Sequence, residues 1–129
     1  MAQNNLSTTI TQLDVSNVTI ARRIGSFSDT APSVGEFISG ILTGVGQVTV
    51  TFPTNITQLR QLYLKNTHVT ATITVVWTPT TASEQTVAVL GPGDVIILWS
   101  QAAGTTKGIS TLKLTANTSN TTYEMFLGG

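Results

Sequence analysis

The 129-residue chain contains no cysteine, which removes disulfides, thiol catalysis and cysteine-ligated zinc together. Charge is scarce as well. Six Lys/Arg and six Asp/Glu make up 9% of the residues and cancel, against roughly 25% in an ordinary soluble domain. With no net field to attract a polyanion, neither a nucleic acid nor a membrane is expected as a partner. His68 is the single histidine, so a catalytic triad, a His-paired metal site or a histidine general base has one possible member. The longest apolar run, 95–99, has five residues, far short of the roughly 20 of a membrane-spanning helix. Met1-Ala2-Gln3-Asn4-Asn5 has no basic start and no apolar stretch behind it, so a soluble protein made without a Sec-type signal is expected.

What the chain has in excess is β-branched side chains. Thr occurs 25 times, Val 12 and Ile 10, together 47 of 129 residues. Such side chains lose rotamer freedom in helices and fit pleated sheets, so the composition points to an all-β fold. An apolar content of 40% with zero net charge excludes the disordered class. The length suits one domain, and a chain this size buries roughly two-thirds of its unfolded surface without needing a disulfide or a metal. Five Asn-x-Ser/Thr triplets begin at Asn5, Asn17, Asn55, Asn117 and Asn120. In a chain with 35 Ser/Thr they read mainly as a by-product of composition.

Residues 1 to about 8 read as an arm and 9–24 as one or two extended segments. The division that follows is an amino-terminal arm or contact segment over 1–20 and a single β-sandwich domain over 21–129. Ser, Asp and Pro mark 26–33 as a loop. A strand interrupted by Gly40 is expected over 34–42. Gly44 to Gly46 turn into a second strand over 47–52, which Pro53 closes. Leu62 and Leu64 point one way and Tyr63 and Lys65 the other, before Asn66-Thr67-His68 turns the chain. The clearest alternation follows: Val69, Ala71, Ile73, Val75 and Trp77 on one parity, Thr70, Thr72, Thr74, Val76 and Thr78 on the other. This is the pattern of a half-buried antiparallel strand with a threonine-covered outer face. Pro92 presets φ for the second position of a turn, and Gly93 supplies the positive φ of a type II turn at the third. Further strands are expected at 86–90, 95–99 and 109–116, and Tyr123, Met125 and Leu127 close the chain on one face. Eight or nine short strands without a helical period describe an antiparallel, jelly-roll-like β-sandwich.

Little in this pattern carries catalytic chemistry. Asp14, Asp29, Glu36, Glu84, Asp94 and Glu124 are dispersed singly, with no spacing that argues for a carboxylate pair. Asp94, behind a Pro-Gly turn, suits a carboxylate accepting local N–H groups. Gly40, Gly44 and Gly46 lack the lysine and the strand-then-helix setting of a phosphate loop. Arg22-Arg23 is one basic pair, solvated or in contact with a subunit. No catalytic residue, metal or cofactor is expected. Among the aromatics, parity sends Trp77 and Trp99 to the core and leaves Tyr63 outward as the one candidate glycan platform.

The segment 95–99 is apolar at both parities. If Val95, Ile97 and Trp99 fill the core, Ile96 and Leu98 need a separate cover, since an uncharged β-prone stripe left in water invites aggregation. Another subunit or the amino-terminal arm is the expected cover, with a loop of the same chain as the alternative. Ile96, Leu98, Ile10 and Leu13 are therefore the candidate oligomer or capsid contacts.

Several features then occur in a telling order: the threonine-rich strand at 69–77, the turn Pro92-Gly93-Asp94, the short apolar strand ending in Trp99, the strand start Gly108-Ile109, and Leu112-Lys113-Leu114-Thr115-Ala116-Asn117. In these the chain resembles the small β-sandwich structural proteins of tailed bacteriophages, in particular head decoration and head-fibre-base proteins, over about residues 45–127. The resemblance implies a virion protein without enzymatic activity. Such a protein sits on a viral capsid or tail protein as a homo-oligomer, a trimer in preference to a dimer, and cements its neighbours. The alternative is a carbohydrate- or receptor-binding module of a phage tail or cell surface.

Overall fold

The computed structural model describes residues 35–54, 56–98 and 108–129, the backbone of Trp99, and the strand pairing of 6–10, 13–15, 18–20 and 25–29. The chain divides between Ser33 and Val34 into two compact units, thirteen residues beyond the boundary expected from composition. In the first unit β1 (Leu6–Ile10) pairs antiparallel with β4 (Gly25–Asp29), and β2 (Leu13–Val15) with β3 (Val18–Ile20). The segment that read as an arm thus supplies β1, β2 and β3, and β4 begins the stretch expected as a loop, with the β2–β3 ladder lying between β1 and β4 in the chain.

The second unit holds eight strands: β5 (Gly35–Leu42), β6 (Val48–Thr49), β7 (Gln61–Asn66), β8 (Ile73–Pro79), β9 (Gln85–Leu90), β10 (Val95–Trp99), β11 (Ile109–Ala116) and β12 (Thr121–Gly128). They form two four-stranded sheets with all pairings antiparallel, in the orders β10-β7-β12-β5 and β6-β11-β8-β9. Lettered B to I along the chain, the eight strands read G-D-I-B and C-H-E-F, the interleaved order of a jelly roll. The expected all-β sandwich is therefore present, with its jelly-roll connectivity.

One apolar core lies between the sheets. The first sheet supplies Leu62, Leu64, Met125, Leu127 and Leu42, and the second supplies Ile73, Val75, Leu90, Ile109, Leu112 and Leu114. Burying each such side chain contributes roughly 2 kcal/mol of transfer free energy. Directly opposed residues of an antiparallel pair share a face, so the registers Ile96↔Leu64↔Met125↔Ile38 and Leu98↔Leu62↔Leu127 run as two inward rows. Gly40 stands opposite Tyr123 in the next row, and a Cβ there would overlap the Tyr123 ring. The glycine that breaks the apolar pattern of β5 makes room for that ring over the core.

These registers correct the expected parity of β10. Ile96 and Leu98 pack against the core, whereas Val95 and Ile97 are 44% and 42% exposed. A five-residue strand that is apolar at every position carries no period of its own, and its facing is set by the leucines of β7 with which it pairs. Ile96 and Leu98 are half-buried against the core of their own chain, so they do not form the outward stripe that made them contact candidates. The inference of assembly drawn from those two side chains falls with them. The alternating strand is also shorter than expected: β8 begins at Ile73, and Val69 is exposed in the preceding turn.

That turn is held by a buried polar residue. Asn66 sits on the inward parity of β7, fully buried. Its Nδ2 donates to the carbonyls of Ala71 (2.7 Å) and Leu90 (3.0 Å), and its Oδ1 accepts the His68 N–H (3.0 Å). His68 Nδ1 in turn accepts the N–H groups of Thr70 (3.2 Å) and Ala71 (2.9 Å). At the neighbouring turn Gly93 has φ +80°, as a type II turn requires, and Asp94 Oδ2 accepts the Gly91 N–H at 2.8 Å. Asn66→Ala would strand two carbonyls and one N–H. The expected cost is about 3 kcal/mol, a fall in Tm of roughly 10–20 °C, measurable by thermal unfolding. A loss below about 1 kcal/mol would contradict this role.

Candidate functional site

The two outer faces of the sandwich differ in chemistry. On β6-β11-β8-β9 the register sets Thr115 opposite Thr74, Thr111 opposite Thr78, and Lys113 between Thr49 and Val76. Thr111 Oγ1 lies 2.8 Å from Thr78 Oγ1, Ser110 Oγ donates to the Thr78 carbonyl, and Lys113 pairs with Glu84. This is the threonine-rich face that the alternation predicts, and Val89, opposite Thr74, is exposed on it.

The outer face of β10-β7-β12-β5 is apolar along its middle. Ile97 stands opposite Tyr63, Tyr63 opposite Phe126, and Phe126 opposite Phe37. Four side chains from four strands thus make one row across the sheet, about 14 Å long at the usual strand spacing. Phe37 is 60% exposed, and Tyr63 and Phe126 are half-buried. The adjacent row is Val95, Lys65, Glu124 and Ser39 in register, and beyond it Ile41, opposite Thr122, is 57% exposed. Isolated surface hydrophobics are ordinary, whereas these four are contiguous.

Tyr63 Oη donates to Glu124 Oε1 at 2.9 Å. Desolvation holds the Tyr63 phenol above its ordinary value of 10.0, reinforced by the hydrogen bond to Glu124 and by the charge of that carboxylate. Tyr123 is raised by burial alone. In the row on the other side Gln61, opposite Gly128, is 1% exposed, and among the described residues neither atom of its carboxamide has a hydrogen-bond partner.

Comparison with protein-family models, with curated proteins and with solved structures finds no match to this chain. The reading of function therefore rests on the geometry.

Of the residues singled out from the sequence, Tyr63 lies in the centre of the row, outward as expected, and Trp77 packs against the core. Ile10 ends β1 opposite Gly25 and Leu13 begins β2 opposite Ile20; their side chains, those of Asp14, Asp29 and Trp99, and the pair Arg22-Arg23 lie outside the described residues. His68 is engaged in its turn. Among the described residues no three His, Cys, Asp or Glu side chains gather as metal ligands. Asn117, one of the glycan-type asparagines, accepts the Thr72 N–H through Oδ1 at 2.8 Å. Phe37, Ile41 and Phe126 escaped the sequence reading. Phe126 was findable, since it alternates with the inward Met125 and Leu127, while Phe37 becomes meaningful once β5 is known to pair with β12.

Because both tyrosines hold their protons more tightly in the folded chain than in the unfolded one, they contribute stability that is complete below the unfolded value. That stability is lost as the pH rises through the folded values. Glu124→Gln should lower the Tyr63 step of an alkaline absorbance titration and leave the Tyr123 step in place. Identical titrations of wild type and variant would contradict the Tyr63–Glu124 coupling.

Proposed function

We propose that this chain is a non-enzymatic structural protein of a virus particle, of the decoration or cementing kind, which self-associates and binds a capsid surface. The observation that carries the reading is the contiguous apolar row Ile97, Tyr63, Phe126 and Phe37 on the outer face of one sheet, with Ile97 and Phe37 exposed. A jelly roll supports it as well, since capsid components use this architecture, although lectin domains and cupins share it. The near absence of charge suits docking by shape, apolar contact and hydrogen bonding.

The reading places the protein on the virion, with a capsid or tail protein as its partner. A carbohydrate- or receptor-binding module is the second reading. It is favoured by Tyr63 and Phe126 side by side with the Glu124 carboxylate at the ring edge, an arrangement that offers a stacking surface and a hydroxyl acceptor together.

The test is co-sedimentation with assembled capsids of tailed bacteriophages. Salt should run from about 0.05 to about 0.5 M, roughly a threefold change in Debye length. Retention that is nearly independent of salt is expected. Failure to co-sediment at any salt, together with saturable glycan binding that Tyr63→Ala abolishes, would replace the reading by the second.

A further inference from the structure

We propose that the outer face of the β10-β7-β12-β5 sheet binds the same face of a second copy, about a two-fold axis parallel to the strands and midway between β7 and β12. The proposal deepens the assembly reading, on which it rests for self-association, by assigning the surface and the symmetry.

The register supplies the argument. An isologous contact needs a surface complementary to itself under a two-fold. Two in-plane axes lay the apolar row on its own image, one along the row and one along the strands. The axis along the strands exchanges β10 with β5 and β7 with β12. It therefore sets Ile97 of one copy over Phe37 of the other, and Tyr63 over Phe126. In the adjacent row it sets Lys65 over Glu124 and, by symmetry, Glu124 over Lys65, because these two residues are opposed in register on β7 and β12. Val95 meets Ser39. One operation thus matches aromatic to aromatic and cation to anion twice, whereas the axis along the row leaves both charges facing the Gln61 and Gly128 end of the sheet.

Tyrosine, phenylalanine and isoleucine flanking one compensated charge pair also match the composition of an interface core, which is poor in charge and rich in aromatics. Four strands of up to eight residues present about 500 Å² per copy at ordinary sheet spacings, or roughly 1,000 Å² for the pair, at the lower bound for a specific interface. A concentration-dependent monomer–dimer equilibrium follows, not a permanent dimer.

Sedimentation velocity of the full chain over a hundredfold range of concentration tests this. Wild type should pass from monomer to dimer. Lys65→Glu alone and Glu124→Lys alone should each weaken self-association at least tenfold, because each homodimer then opposes like charges twice. An equimolar mixture of the two variants should dimerise at least as tightly as wild type, since every contact in the heterodimer is again opposite in sign. Phe37→Ser, at an exposed position outside the core, should weaken association at least tenfold without involving charge. A monomer at every concentration, a trimer, or a dimer indifferent to Phe37→Ser would overturn the proposal, as would a mixture that fails to recover. A monomer that still co-sediments with capsids would do so while leaving the capsid-binding part of the reading intact, the face then belonging to the capsid protein.

Discussion

The pairing of β7 with its two neighbours decides most of what this molecule presents to its surroundings. In an antiparallel sheet a slip of one residue would exchange every inward side chain for an outward one. Leu62 and Leu64 are fully buried, and that preference settles the facing of β10 on one side and β12 on the other. Once they point inward, Ile96 and Leu98 join the core and Tyr63, Ile97 and Phe126 are turned to water. The apolar surface is thus a by-product of how the core is satisfied, and it has the geometry of the sheet built into it.

Much of the architecture was legible from residue pattern. Threonine alternation on β8 announced a half-buried strand, and Pro92-Gly93-Asp94 announced its turn down to the local carboxylate contact. Legibility failed where local pattern carries no information about pairing. The stretch 95–99 has two apolar faces, so only its partner strand distinguishes them, and that partner lies some thirty residues away. The row on the outer face is likewise non-local, since its four members come from strands that are never consecutive in the chain. Asn66 was read as a turn residue, but its burial and three side-chain hydrogen bonds depend on carbonyls that other strands bring to it.

The low charge and the threonine content acquire a common meaning in this setting. One sheet presents a largely threonine face, on which Thr111 meets Thr78 and Lys113 meets Glu84. The other exposes aromatic and aliphatic groups around a single Lys65–Glu124 juxtaposition. The association proposed for the second face would owe little to long-range fields, since the net charge is zero.

The absence of cysteine allows the register itself to be measured. Paired cysteines at Ile97 and Tyr63 lie directly opposite one another and should close to a disulfide on mild oxidation, seen by mass spectrometry after alkylation, while cysteines at Ile96 and Tyr63 should remain free thiols. Closure of the second pair and not the first would mean that β10 faces the other way. It would return Ile96 to the surface and dissolve the apolar row on which the account of this protein rests.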